Sequence, residues 1–270
     1  TAMPTTADVY SKLCDHARET AMLETIESVL GWDERTYMPI AAGEYRAEQI
    51  THVAGLVHRQ RTNPRWGELL AKLETSELAA DPHSDTGTTI RQLKRDYDKR
   101  CKLPATLVEA LARAAVLGQQ AWVEARPKND FKSFAPHLET IFRLKREQAE
   151  ALGYEQNPYD ALLDDFEPLA KTADVAKVLA ELRHELVPLV QAIADSPRRP
   201  RIEILGRNYP VAAQQQFGQA AAAAIGFDFQ AGRLDVTHHP FCSGMGPRDC
   251  RITTRYHENF FPSAFFGILH

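Results

Sequence analysis

The sequence predicts a mainly α-helical protein with one small β-sheet near its C-terminal end. Before Gly226, apolar residues recur at spacings of three and four along most of the chain, which is the period of a buried helix face. The pattern then changes to alternation at residues 233–237 and 250–256, where β-branched side chains and a period of two indicate strands. No apolar run approaches the ~20 residues that a membrane-spanning helix needs.

Composition narrows the functional class further. The 270 residues are 44% hydrophobic and 25% charged, as in soluble globular proteins. The net charge of −4 provides no general attraction to nucleic acid or to an anionic membrane. The four cysteines form no CxxC pair and the first residues do not read as a signal peptide, so we expect reduced thiols and a cytoplasmic location.

The N-terminal half is expected to be a series of helices. Residues 8–31 form the first, which Gly31 ends, and residues 32–39 follow as a connector because Pro39 disfavours helix at the residue before it. Ser133 is expected to cap a helix that Gly153 ends. Four further helices are predicted at residues 43–60, 66–78, 88–102 and 104–125.

The second half begins with an acidic segment, residues 160–167. Thr172 is expected to cap a long helix in which Pro188 produces a kink or a break. Pro210 opens a helix that Gly226 stops. Residues 202–205 are a weaker candidate for a third strand, residues 243–247 are expected to be a loop, and the apolar spacing before His270 is helical.

Three sequence features carry residues with chemical potential. His239 precedes a proline, which holds it extended. Asp249, Arg251 and Thr253 share one face of a predicted strand, and the guanidinium of Arg251 suits bidentate binding of a carboxylate. An ordinary hydrogen-bonded loop histidine and a surface ion pair remain the alternatives, and the acidic segment is read as a solvated helix face rather than a cation site.

Taken together, these features resemble the carboxypeptidase Taq family of zinc metallocarboxypeptidases. The family's His-Pro-Phe motif corresponds to His239, Pro240 and Phe241. Its Asp-x-Arg-x-Thr motif corresponds to Asp249, Arg251 and Thr253, and residues 31–39 resemble its Trp-Asp-x-x-Thr-Tyr-Met-Pro region.

The resemblance implies a helical, neurolysin-like fold with a deep groove bordered by a small sheet. It implies a zinc or cobalt enzyme, usually a homodimer, that acts on peptides with a free C-terminus. His239, Asp249, Arg251 and Thr253 would bind substrate, and His270 would be the first metal ligand of an incomplete His-Glu-x-x-His motif. The general base would lie beyond His270, so no catalytic residue is assigned within the chain.

Two hypotheses follow for these 270 residues. The chain is either the N-terminal portion of a metallocarboxypeptidase, truncated and inactive alone, or a non-catalytic helical module for binding or dimerisation. The first divides the chain into a helical region over residues 1–195 and a helix with a small sheet and the start of the metal-binding helix over residues 196–270. The second rests on apolar side chains of the terminal helix, such as Phe260 and Phe266, that would otherwise lack a cover.

Overall fold

A computed structural model describes residues 4–270. Over these residues the chain forms mostly helix, with one three-stranded sheet in the order β1-β3-β2, which confirms the predicted fold class. The α-helices are α1 (Thr6–Thr36), α2 (Gly43–Arg61), α3 (Pro64–Glu74), α4 (Asp85–Cys101), α5 (Ala105–Lys128), α6 (Phe131–Leu152), α7 (Pro158–Leu163), α8 (Thr172–Asp195), α9 (Val211–Ala224) and α10 (Phe261–Leu269). The strands are β1 (Gly232–Val236), β2 (Cys242–Gly244) and β3 (Cys250–Thr254).

The chain divides into two compact units. Residues 4–152 form the first unit together with Ser243–Cys250, and Gly153–Cys242 with Arg251–His270 form the second. The predicted division of one N-terminal portion into residues 1–195 and 196–270 stays a prediction.

Helix α1 is longer than predicted. It starts with a capping box, in which the Thr5 hydroxyl accepts from the Asp8 N–H at 3.2 Å and the Asp8 carboxylate accepts from the Thr5 N–H at 2.9 Å. The expected stop at Gly31 is wrong, because the helix continues through the first half of the predicted connector to Thr36 and buries Trp32. One glycine costs a helix only about 1 kcal/mol, which that burial offsets.

The first unit has its principal core where α1, α3 and α4 meet. Its buried members are Val9, Leu13, Trp66, Leu70, Leu73 and Ile90. A second, smaller cluster joins α2 to α5 through Ala47, Ile50 and Val116. The amide end of the Gln120 side chain lies against Gly43, where a Cβ would come within 2.2 Å of it.

Helix ends follow the local chemistry, with some shifts from the prediction. Asn63 and Ser84 cap α3 and α4 with their side chains. The helix predicted over residues 104–125 ends slightly later, since α5 runs to Lys128 and is followed by Asn129 in the left-handed region at φ +54°. Ser133 is not the cap of α6: it lies inside the helix, and both its N–H and its hydroxyl donate to Asp130.

In the second unit, α8 is continuous across Pro188, so the predicted break is absent. Thr172 is the first residue of α8 rather than its cap, and its N–H donates to the Asp160 carboxylate at 2.7 Å. None of the α8 residues is buried. Its exposed apolar side chains are Val178, Leu179, Leu182, Leu186, Val187, Leu189, Val190 and Ile193.

The sheet differs from the prediction in one strand. Residues 202–205 are not a strand, because Ile202–Ile204 forms a 3-10 turn instead. The third strand is β2, at the start of the expected loop at residues 243–247. Strands β1 and β3 lie where the alternation predicts them.

Within residues 4–270, no helix is both long and apolar enough to cross a membrane. The four cysteines are all free thiols, in agreement with the absence of a disulfide framework in the sequence.

Candidate functional site

Strand β3 is the element that positions the predicted site residues of the second unit. The side chain of Thr253 is hydrogen-bonded to the backbone of Phe241. Its hydroxyl accepts from the Phe241 N–H at 2.7 Å and donates to the Phe241 carbonyl at 2.8 Å. The Thr253 N–H donates to that same carbonyl at 2.9 Å. Thr253 is only 2% exposed, so these bonds are shielded from competing water.

His239 lies two residues before Phe241, in the bend that follows β1. It is exposed, and its Nδ1 is 3.2 Å from the Pro240 carbonyl oxygen. The preceding residue, His238, is held by Arg255, which directly follows β3. The Arg255 guanidinium donates to the His238 carbonyl at 3.0 Å. The bend therefore presents His239 to solvent while its neighbours are hydrogen-bonded.

Arg251 and Asp249 differ in their settings. Arg251 is half-buried within β3. Asp249 ends the turn before β3, where its carbonyl accepts from the Met245 N–H at 2.8 Å and its N–H donates to the Gly246 carbonyl at 3.2 Å. The turn needs the left-handed region at Gly246 (φ +131°) and at Arg248 (φ +63°), and glycine adopts that conformation at no steric cost.

The opposite side of β3 holds α10. The buried Thr254 hydroxyl donates to the Ala264 carbonyl at 3.2 Å. Helix α9 packs closely on α10, because a Cβ at Gly218 would lie 2.5 Å from the Ile268 side chain. Thus β3 contacts both the bend that carries His239 and the helix that leads to His270.

Aromatic rings form a second contact between α9 and α10. Phe261 and Phe265 stack with centroids 5.2 Å apart, and Phe217 of α9 lies 5.7 and 5.3 Å from them. Phe260 and Phe266 remain about half or more exposed. The aromatic cluster fixes α10 on α9 and leaves one apolar side of α10 open.

His270 is the last residue and caps α10, with its N–H donating to the Phe266 carbonyl at 2.9 Å. Its side chain is exposed. No group of three or more histidine, cysteine, aspartate or glutamate side chains with metal-binding geometry occurs within residues 4–270. Since a catalytic zinc takes three protein ligands, the residues present do not fit a complete metal site.

The acidic segment has structural partners. The Asp160 carboxylate accepts from both the N–H and the hydroxyl of Thr172, and these bonds lower the pKa of Asp160. The Asp164 carboxylate accepts from the Leu169 N–H at 3.0 Å. These contacts agree with a helix-end role rather than with a cation site.

Sequence reasoning missed Arg255 as a contributor to the site. Its contact joins positions 17 residues apart in sequence, and no spacing rule predicts such a bond. No pattern in the sequence signalled this contact, because it depends on the register of the sheet.

The N-terminal region that resembles the family motif is also ordered by charge pairs. The Asp33 carboxylate lies 2.7 Å from the Arg46 guanidinium, which also donates to the Leu30 carbonyl at 2.9 Å. The Glu34 side chain is only 4% exposed. Burial raises the pKa of Glu34, and the neighbouring Arg35 and Arg46 offset part of that effect.

Replacing Glu34 by glutamine is expected to change how stability depends on pH. Because the pKa is raised in the folded state, folded Glu34 keeps a proton that the unfolded chain releases above pH ~4.5. The unfolding free energy of the wild type therefore falls as pH rises through this window, and Glu34→Gln should remove that part of the decline. Urea unfolding from pH 4 to 8 measures it.

Glu19→Gln is the matched control, since Glu19 is on the same helix and its side chain is 65% exposed. Its unfolding free energy should follow the wild-type pH dependence. Equal pH slopes for Glu34→Gln and the wild type would contradict the prediction.

Known proteins resemble this chain over most of its length. The family model for carboxypeptidase Taq (M32) metallopeptidase matches residues 12–270. Thermostable carboxypeptidase 1 of Thermus thermophilus is 40% identical over 271 residues, which covers 97% of this chain and 53% of that protein. Carboxypeptidase 1 of Bacillus subtilis is 32% identical over 90% of this chain and 48% of its own length.

Solved structures agree with these matches. An M32 carboxypeptidase from Deinococcus radiodurans R1 has a TM-score of 0.81 at 35% identity, and a Pyrococcus furiosus carboxypeptidase has 0.82 at 30%. Each alignment covers 97% of this chain and 52% of the other. The chain spans about half the length of the relatives it matches.

Proposed function

This chain belongs to the carboxypeptidase Taq (M32) metallopeptidase family, and from that membership we propose that it supplies the substrate-facing part of a metallocarboxypeptidase. The enzyme would release amino acids from peptides with a free C-terminus. The observation that carries the proposal is the family match across residues 12–270. The two C-terminal motifs within that match lie on and around β3.

The proposed roles follow from charge and position. The half-buried guanidinium of Arg251 would bind the C-terminal carboxylate of the peptide through paired charge-assisted hydrogen bonds. The exposed imidazole of His239 would donate to a substrate carbonyl. The carboxylate of Asp249, at the end of its tight turn, would accept from neighbouring hydrogen-bond donors and so orient them. Thr253 is grouped with them by its motif, although its hydroxyl is bonded to Phe241.

The metal belongs to the proposal for the whole enzyme. Zinc or cobalt would supply Lewis-acid activation of water when bound, with His270 as its first ligand. No group of three or more metal-binding side chains occurs within residues 4–270, so we propose no further ligand and no general base from these residues. No step of the reaction is therefore assigned to the 270 residues alone, which we propose are inactive by themselves.

Location, nucleic-acid binding and oligomeric state are further proposals. Free thiols at all four cysteines support a cytoplasmic location, and the net charge of −4 supports a protein without nucleic-acid partners. A homodimer follows from the family resemblance. The alternative of a non-catalytic binding module is not favoured, because the named relatives are carboxypeptidases.

The direct test uses a full-length protein that carries this sequence, with zinc or cobalt added. It should release the last amino acid from an N-blocked peptide with a free C-terminus and leave the C-terminally amidated form of that peptide intact. Release from both forms, cleavage at internal bonds, or no cleavage of either peptide would overturn the proposal.

The 270-residue chain itself is expected to bind zinc weakly. One imidazole provides a single ligand where a catalytic site uses three, so titration calorimetry should show no tight one-to-one complex. His270→Ala is the matched variant and should titrate like the wild type. A high-affinity site with a stoichiometry of one that disappears in His270→Ala would contradict this expectation.

A further inference from the structure

The bend that carries His239 is held along its whole length by the end of β3. At one end, the Thr237 N–H donates to the Thr254 carbonyl at 3.0 Å. In the middle, Arg255 donates to the His238 carbonyl at 3.0 Å. At the other end, Thr253 makes three bonds to the backbone of Phe241.

Thr253 makes the most hydrogen bonds of these contacts, because its N–H and its hydroxyl both bond to the backbone of Phe241. Its hydroxyl has one proton, which goes to the Phe241 carbonyl, and the same oxygen accepts from the Phe241 N–H. With the donor used and an acceptor position occupied at 2% exposure, a ligand would have to displace Phe241 to reach it. This arrangement fits a residue that acts through Phe241 better than one that contacts substrate.

We propose that Thr253 is a positioning residue, which fixes the backbone of Phe241 and so holds His239 toward the substrate. The role of His239 toward substrate rests on the proposed carboxypeptidase function. The restraint of the Phe241 backbone by Thr253, here called the clamp, rests on the hydrogen bonds alone. Pro240 between them restricts His239 to extended conformations. Once Phe241 is fixed, few backbone states remain for the residue that presents the imidazole.

The neighbouring Thr254 provides a matched control. It is fully buried like Thr253, and its hydroxyl also donates to one backbone carbonyl, that of Ala264. That contact leads to α10 and not to the His239 bend. A general loss of stability should therefore affect Thr253→Val and Thr254→Val alike, whereas loss of the clamp should affect only the first.

The first experiment measures amide hydrogen exchange at Phe241 by NMR in the 270-residue chain. Removing the hydroxyl leaves the Phe241 N–H without its acceptor, so Thr253→Val should raise exchange at Phe241 about tenfold. Thr253→Ser, which keeps the hydroxyl, should restore wild-type exchange, and Thr254→Val should leave it unchanged. Unchanged exchange in Thr253→Val, or an equal rise in Thr254→Val, would overturn the clamp.

If Thr253→Val fails to fold, Thr253→Ala removes the same hydroxyl and takes its place, with the same expected rise in exchange at Phe241. A further variant tests the contact in the middle of the bend. Arg255 is exposed, so Arg255→Met removes the bond to His238 with little risk to the core. Its His239 backbone amide should show a lower heteronuclear NOE than in the wild type. An unchanged value would show that the Arg255 contact does not restrain the bend, which Thr253 and Thr254 would then hold without it.

The second experiment separates the clamp from the enzymatic role. In the full-length protein, Thr253→Val should raise KM for a free-C-terminus peptide several-fold more than it lowers kcat, and Thr253→Ser should restore KM. If exchange at Phe241 rises but KM does not, the clamp exists without positioning substrate. If the wild type hydrolyses no peptide, the proposed function fails, and with it the role of Thr253 toward substrate, whatever the exchange result.

Discussion

Replacing Arg251 by alanine in the full-length protein is expected to lower kcat/KM by about 10- to 100-fold for a peptide with a free C-terminal carboxylate. A hydrogen bond to a charged group contributes about 1.5–3 kcal/mol, and each 1.36 kcal/mol of transition-state binding is tenfold in rate. Arg251 is half-buried in β3, so its contact with a carboxylate would be partly shielded from water. Steady-state hydrolysis of an N-blocked peptide measures the loss.

This prediction identifies the C-terminal carboxylate of the peptide as the partner of Arg251. Arg251→Lys keeps the charge but loses the planar fork that grips both carboxylate oxygens, so its loss should be intermediate. Esterifying the C-terminus of the substrate should lower wild-type kcat/KM strongly and Arg251→Ala far less. Equal sensitivity of both proteins to esterification would show that Arg251 binds something else.

Arg201 offers a control for nonspecific loss of charge. It is in the same unit, its side chain is 79% exposed, and it pairs with Glu203 at 3.1 Å. Arg201→Ala should therefore hydrolyse the peptide at nearly the wild-type rate. A comparable loss in this variant would attribute the Arg251 effect to the overall field of the protein.

Helical periodicity predicted most of the fold because an apolar face repeats over many residues. It failed where a single residue was taken as a stop. Gly31 does not end α1, since the cost of one glycine is smaller than the gain from burying Trp32 in the next turn. Pro188 was expected to kink or break α8; the break is absent, since α8 remains helical on both sides of it, and the kink stays a prediction.

Short strands were harder to predict, because pairing decides them. Strand β2 has three residues, too few for alternation to register, and it exists through its pairing with β3. Residues 202–205 have β-branched side chains but form a 3-10 turn, since a strand requires a partner as well as propensity.

Motif membership predicted the site residues, and that assignment stays a prediction. Their contacts depend on sheet register. The sequence grouped Thr253 with Asp249 and Arg251 by alternation. It could not predict that Phe241 lies opposite Thr253, because one residue of slippage would exchange the faces. For the same reason the bond from Arg255 to His238 had no signal in the sequence.

Replacing Arg61 by methionine is expected to cost about 2–3 kcal/mol of unfolding free energy. Arg61 binds both Glu24 oxygens at 2.8 Å and the Asp96 carboxylate at 2.7 Å. Its side chain is 17% exposed, and the two carboxylates are about one-third exposed. Breaking a fully buried pair costs about 3–5 kcal/mol, and the partial exposure of the carboxylates lowers that figure.

The loss arises mainly from the partners left behind. Without Arg61, Glu24 loses its bidentate partner, and Asp96 keeps its ion pair with Arg100 at 2.8 Å. Glu27 nearby should be affected too, because burial and then the charge of Glu24 already raise the pKa of Glu27.

Arg18→Met is the matched control for this prediction. Arg18 makes an ion pair of the same length, 2.7 Å, with Asp15, but its side chain is 71% exposed. Exposed pairs contribute about 0–1 kcal/mol, so urea unfolding at pH 7 should separate the two variants by at least about 1 kcal/mol. Equal midpoints for Arg18→Met and Arg61→Met would mean that burial adds nothing to the Arg61 network, and that α1, α2 and α4 are held together by their apolar contacts alone.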